Sequence, residues 1–231
     1  MIDSNSAACR RPGAARASAM LLVVACSVSS FAIAEGPPPA PLAPPPAGEY
    51  HLDKSHASVL FRVSHMGFSH YTSRFSRVDA NLTFDPANLA ASKVEVTIDA
   101  ASLEMDGAPA MCLDISRGPK LLDTTKYPQI TFRSERVKVN GSNGLEILGS
   151  LTLHGVTRPL VLTGTYNGGY ASQPMEPGAR IGFSAHGTLN RSDFGMTFAI
   201  PAPGTSMGLG DSIDLVIEAE FSGPPAATKS G

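Results

Sequence analysis

Cysteine is scarce in this sequence and sits where it cannot staple a fold. Of three cysteines in 231 residues, Cys9 and Cys26 lie near the N-terminus and only Cys112 lies in the body of the chain. No disulfide joins two parts of the body, so its stability has to come from a core. Cys112 has no adjacent His or Lys to favour a thiolate, which reads as a passive, partly buried residue. Charge is also sparse, at 16% of residues, with 18 basic against 20 acidic side chains. Neither a basic stripe nor an aromatic and arginine platform is present, and nucleic acid is excluded as a partner. Tryptophan is missing altogether, and so is a Gly-x-Ser-x-Gly nucleophile elbow. Ser102, Ser134 and Ser150 have no base implied nearby, and Asp193 reads as a turn or ion-pair residue, so nothing supports an enzyme. Four of the six histidines, His51, His56, His65 and His70, lie close in sequence but lack the paired helical spacing of a zinc protease. Neither a metal nor a cofactor is expected.

What is present starts with an export signal. Arg10, Arg11 and Arg16 precede the apolar run Ala19 to Ala25, and small residues follow, ending in Ala32-Ile33-Ala34. Residues 1–34 are read as a signal peptide, and the protein is expected to be exported, periplasmic or secreted. The apolar run is far shorter than the roughly 20 residues that cross a bilayer, so no stable membrane span is expected. The alternative is a lipoprotein anchored through Cys26, on a loose lipobox at Val23-Val24-Ala25-Cys26. Residues 35–48 form a linker, of which GPPPAPLAPPPAG is seven-thirteenths proline, an extended and semi-rigid composition.

From residue 49 the chain alternates apolar and polar side chains with a period of two. The longest example is GLEILGSLTLHGVTRPLVLTGTY, Gly144 to Tyr166. Leu145, Ile147, Leu151 and Leu153 share one face, His154-Gly155 reverses the chain, and Leu160, Leu162 and Tyr166 resume the pattern, which predicts a hairpin. Similar alternation predicts strands at Tyr50–Leu52, Val59–His65, Tyr71–Phe84, Val94–Ile98, Gln129–Val139, Ile181–Leu189 and Ile213–Phe221. Parity changes between Phe75 and Val78, and again near Glu135, predict bulges. Residues 102–127 lack the period and read as a long connection with a helical turn or two.

Eight or nine one-sided strands bury their apolar faces only if two sheets pack or one sheet closes on itself. The long strands and parity breaks favour closure, and a barrel of about eight strands has an interior that fills with side chains or holds one slender ligand. The inward set includes glycines at 149, 164 and 187, which are expected to leave volume unfilled. His65 shares parity with Val59, Phe61 and Val63, which makes it an imidazole in need of a partner. Arg62, Arg74 and Arg191 are expected to pair with carboxylates on the outer surface.

A set of short motifs then points to a family. Tyr50-x-Leu52-Asp53, Phe61-x-Val63-x-His65-x-Gly67-x-Ser69, Phe84-Asp85-Pro86, Lys126-Tyr127-Pro128-x-Ile130-x-Phe132, Gly149-x-Leu151-Thr152-x-His154-Gly155-Val156-Thr157-x-Pro159 and Asn190-Arg191-x-Asp193-Phe194-Gly195 together resemble the YceI-like family. The resemblance implies an all-β fold, a single antiparallel eight-stranded lipocalin-like barrel with an elongated apolar channel and one short helical connection. It would span residues 49–222, with 223–231 a flexible tail. It also implies a non-enzymatic binding or carrier protein for a long-chain amphiphile, a polyisoprenoid or other lipid. The alternative is an enzyme acting on a small lipid in the same pocket. The candidate ligand-binding residues are Phe61, Val63, His65, Val96, Ile98, Phe132, Leu151, Leu153, Leu162, Phe183 and Leu215. One stretch departs from the family: Cys112-Leu113-Asp114-Ile115-Ser116 stands where relatives commonly carry Arg-Asp-x-His-Leu.

Overall fold

The computed structural model describes residues 42–225 of the chain. The expected signal peptide, the first part of the linker and the end of the tail lie outside the described residues. The described residues form ten strands, β1 (Gly48–His65), β2 (Ser69–Phe75), β3 (Val78–Phe84), β4 (Lys93–Asp99), β5 (Leu103–Glu104), β6 (Gln129–Asn140), β7 (Gly144–Leu153), β8 (Val156–Tyr170), β9 (Gly178–Asn190) and β10 (Leu209–Pro225), with one α-helix, α1 (Ala110–Arg117). They form a single antiparallel sheet in the order β10-β9-β8-β7-β6-β4-β3-β1-β2-β5, and a β10–β1 ladder closes it. Eight strands make the barrel wall, β2 prolongs β3 along the second half of β1, and β5 is a two-residue edge. Closure removes the open edges that a ten-stranded sheet would expose.

The predicted hairpin is β7 and β8. His154 and Gly155 form its two-residue turn with φ of 51° and 73°, the left-handed conformations that match the twist of the flanking strands. Gly155 is also required by contact, because a Cβ there would lie 2.4 Å from the Tyr127 ring. Both expected breaks occur. β2 ends at Phe75 and β3 starts at Val78, and Ser102 binds the intervening kink by accepting from the Arg77 N–H at 3.1 Å. The β6–β7 ladder slips between Ser134 and Arg136. A third irregularity falls in β1, whose first half was expected to be a separate strand: its ladder to β10 jumps from Leu52↔Phe221 to Ala57↔Ala219. Four residues, Asp53 to His56, therefore stand opposite Glu220 alone.

Two packed clusters fill the barrel at different heights. One gathers Tyr50, Leu52, Ala80, Leu82, Phe84, Ala179, Ile181 and Phe221, with Tyr50 and Phe84 inaccessible and packed edge to face at 5.5 Å. The other gathers Ile130, Phe132, Leu151, Leu153, Leu160, Leu162, Phe194 and Met196. Val94 and Val96 pack against both.

Three expectations are corrected. The end of the proline-rich linker lies against the barrel: Pro45 is buried, and the carbonyls of Ala43 and Pro46 accept bonds from the Ala171 N–H and the Tyr50 hydroxyl. Prolines have no N–H to satisfy, so such a segment docks through its carbonyls alone. β10 runs to Pro225 and takes in the start of the expected tail. Arg191 is buried instead of paired on the surface, and donates to the carbonyls of Gly210, Met196 and Leu209 at 2.7–2.9 Å. A buried guanidinium needs such partners, and here they fasten the connection between β9 and β10.

Candidate functional site

Between the two clusters the barrel holds a cavity of about 130 Å³. Its wall is built from inward positions of eight strands: Leu52, Ala57 and Val59 of β1, Val78, Ala80 and Leu82 of β3, Val94 and Val96 of β4, Phe132 and Val137 of β6, Ile147 of β7, Leu162 of β8, and Phe183, Ile217 and Phe221 of β9 and β10. The strand period of two places these side chains inside while Glu95 and Glu218 stay exposed. The polar residues on the rim are engaged elsewhere. Ser92 Oγ accepts from the Asp85 N–H at 3.3 Å, and Ser184 Oγ donates to Glu218 at 2.6 Å. Four rings, Phe84, Tyr166, Phe183 and Phe221, pack in succession below the cavity with centroids 5.3–6.3 Å apart. Burial in that cluster pushes the Tyr50 phenol up to about 12 and raises Tyr166 also, so both hydroxyls stay protonated.

Of the candidate residues, Val96, Phe132, Leu162 and Phe183 line the cavity. Leu151 and Leu153 are buried in the upper cluster, and Ile98 and Leu215 pack against it. Phe61 and Val63 are half-buried on β1, where they pair with Leu215 and Ile213 of β10. His65 is exposed at the end of β1; the strand leaves the barrel rim there, so its imidazole is not the enclosed polar group its parity implied. Two of the three glycines are corrected as well. A Cβ at Gly149 would meet the Phe132 ring at 2.4 Å, and one at Gly187 would meet Leu162 at 2.7 Å. Large neighbours already fill those spaces, and only Gly164 borders the cavity.

The candidate residues left out most of the cavity wall: Val78, Ala80, Leu82, Val94, Val137, Ile147, Ile217 and Phe221, as well as Leu52, Ala57 and Val59 of β1 with the Asp53–His56 bulge between them. The signal was present: inward parity passes from even positions, Tyr50 and Leu52, to odd ones, Ala57 and Val59, and an odd number of extra residues is what such a switch needs.

An ionic cluster braces that bulge on the outside. Arg180 of β9 donates to Asp53 Oδ2 at 2.6 Å and to Glu220 Oε2 at 2.7 Å, and pairs with Glu176. His56 Nδ1 lies 2.9 Å from Asp53 Oδ2. The Arg180 and His56 hydrogen bonds hold the Asp53 carboxyl well below the usual range, and Asp53 in turn raises His56. Asp53, His56 and Glu220 bring ligand atoms within 4.8 Å of one another, as a metal would require. The Arg180 guanidinium already supplies the cation to both carboxylates.

Fold and cavity together define a closed antiparallel β-barrel with an apolar site in its interior. Comparison with known proteins names the group more closely: the YceI-like domain matches residues 50–221, and the chain belongs to the YceI-like family. It is 35% identical over 176 residues to a UPF0312 protein of Vibrio cholerae, covering 75% of this chain and 87% of that one. Among solved structures it resembles Burkholderia cenocepacia BcnA, with a TM-score of 0.62 and 24% identity over 73% of this chain and 98% of that one. It also resembles a polyisoprenoid binding domain from Saccharophagus degradans, with a TM-score of 0.53 and 16% identity over 76% of this chain and 98% of that one.

Proposed function

We propose that this protein is a non-enzymatic binding or carrier protein that holds the tail of a long-chain amphiphile, a polyisoprenoid or similar lipid, inside its barrel, and that it works after export. The observation that carries this reading is the cavity itself, walled almost wholly by aliphatic and phenyl groups within a closed sheet. An empty apolar cavity weakens a fold by about 24 cal/mol per Å³, and an apolar tail restores the missing contacts. At about 130 Å³ the space is close to the ~150 Å³ that takes one benzene. It accepts a short segment of chain, and the rest of the tail follows the half-buried inward residues Phe61, Val63, Ile213 and Leu215 towards the upper rim. The family and the fold likeness to a polyisoprenoid binding domain support the same reading.

Phe183→Asp tests it, since this residue lines the cavity and touches three other rings. A carboxylate there abolishes co-purification of lipid from cells that express the full chain, with retained β circular dichroism showing that the barrel survives. A folded variant that still carries as much lipid as the parent overturns the assignment of the site.

A further inference from the structure

The cavity has a neighbour on the other side of the wall. A cleft of about 300 Å³ opens outwards between Asn167–Tyr170 of β8, Arg180–Phe183 of β9, Glu218–Glu220 of β10 and His56. Its floor is small: no heavy atom comes within 4 Å of where a Cβ on Gly168 would lie, and at Gly182 the nearest is 3.8 Å away. Cavity and cleft share Phe183, Glu218 and Ala219 as a common wall, beside which Leu52, Ala57 and Phe221 border the cavity and His56 and Glu220 border the cleft. Ala219 of that wall pairs with Ala57, the residue that follows the bulge in which Asp53 to His56 stand opposite Glu220.

The wall is also at its weakest there. On its other edge β1 pairs with β3 only up to His51↔Asn81 and with β2 only from Val59↔Phe75, so among the described residues Asp53–His56 has no ladder partner on either side. Lys54 and Asp79 bridge the opening at 2.7 Å, with both side chains more than half exposed. Such pairs add little stability, and segments held by few backbone bonds open at lower cost than the rest of a fold.

We propose that the cleft receives the polar end of the tail-bound ligand, which reaches it through the bulge, and that this end is uncharged or cationic, not a phosphate or carboxylate. The proposal rests on the lipid-binding reading above. Its ligand class follows from charge. Glu218 and Glu220 line the cleft beside Arg180 and His56, and Asp53 and Glu176 lie behind them as partners of Arg180, which gives its terminal nitrogens to Asp53, Glu176 and Glu220. Even with His56 protonated, the lining and the cluster behind it hold four carboxylates against two cations. An anionic head meets net repulsion in a partly enclosed site, whereas a hydroxyl, amide or ammonium finds acceptors in Glu218, Asn167 Oδ1 and the carbonyls of the floor.

The test is competition against the tail-only fluorophore N-phenyl-1-naphthylamine by geranylgeraniol, geranylgeranylamine and geranylgeranyl phosphate, on the full chain. Alcohol and amine are expected to displace the fluorophore with the phosphate at least tenfold weaker. In Glu218→Gln/Glu220→Gln the gap should narrow to about threefold or less. Gly182→Leu, which fills the cleft, should weaken the alcohol while leaving the fluorophore itself unaffected. Phosphate binding as tightly as alcohol in the parent, or a gap that stays at tenfold in Glu218→Gln/Glu220→Gln, or an alcohol affinity unchanged in Gly182→Leu, overturns the head-group site and leaves the tail site standing. If the parent protein binds neither the fluorophore nor any of the three competitors, the lipid-binding reading itself has failed and the head-group site falls with it.

Discussion

Asp53 shows how a single side chain ties the site together. Its carboxylate spans two strands by accepting from Arg180 of β9, from His56 and, through Oδ1, from the Ser55 N–H at 2.9 Å. Asp53→Asn should cost about 1.5–3 kcal/mol, the usual worth of a hydrogen bond to a charged group, while Glu176 and Glu220 keep the guanidinium paired. The pH dependence has two opposite signs. Asp53 is lowered in the fold, so its contribution is complete above the ordinary carboxylate value of about 4 and is lost as pH falls further. His56 is raised, so its contribution is complete below about 6.5 and fades as pH climbs through the raised value. Urea midpoints should therefore drop below pH 4 more steeply for the parent than for Asp53→Asn, and parallel curves would show that Asp53 is not the group responsible. Gly149→Ala is the steric counterpart: its methyl meets the Phe132 ring and the Arg133 carbonyl, and overpacking of this kind costs about 1–3 kcal/mol. A variant as stable as the parent would mean the two strands move apart easily.

Among the elements, β1 carries the most consequence for its length. Alternation made most of the wall readable in advance, β7 and β8 above all, because a one-sided strand writes its inward face directly into the sequence. The kinks near Ser76 and Glu135 were readable for the same reason. What parity could not supply was depth along the barrel axis. Phe61, Val63 and Leu215 share the inward face with Val59 and Ile217 yet stand above the cavity, and His65 continues the pattern past the rim. Contact partners were equally invisible, since Phe132 and Leu162 come from other strands to occupy the space beside Gly149 and Gly187. The bulge gives β1 a weak point that hydrogen exchange should register. Amides of Lys54 and His56 are expected to exchange at least tenfold faster than those of Leu60 and Arg62, which sit in ladders on both sides. Uniform protection along β1 would contradict an opening there.

At the scale of the whole molecule, closure by the β10–β1 ladder leaves one large apolar interior with a gap in its packing, and the account turns on what fills it. A ligand that binds only the folded barrel adds RT ln(1 + [L]/Kd) to its stability, roughly 2.7 kcal/mol at a hundredfold excess over Kd. The most direct measurement is mass spectrometry of an organic extract of the protein purified without detergent, paired with thermal unfolding before and after delipidation. The account predicts a single class of long-chain lipid near one equivalent per chain, and a melting temperature that falls on its removal and returns when it is added back. An extract with no long-chain lipid, from a protein whose melting temperature is also indifferent to added polyisoprenoid alcohol, would contradict it.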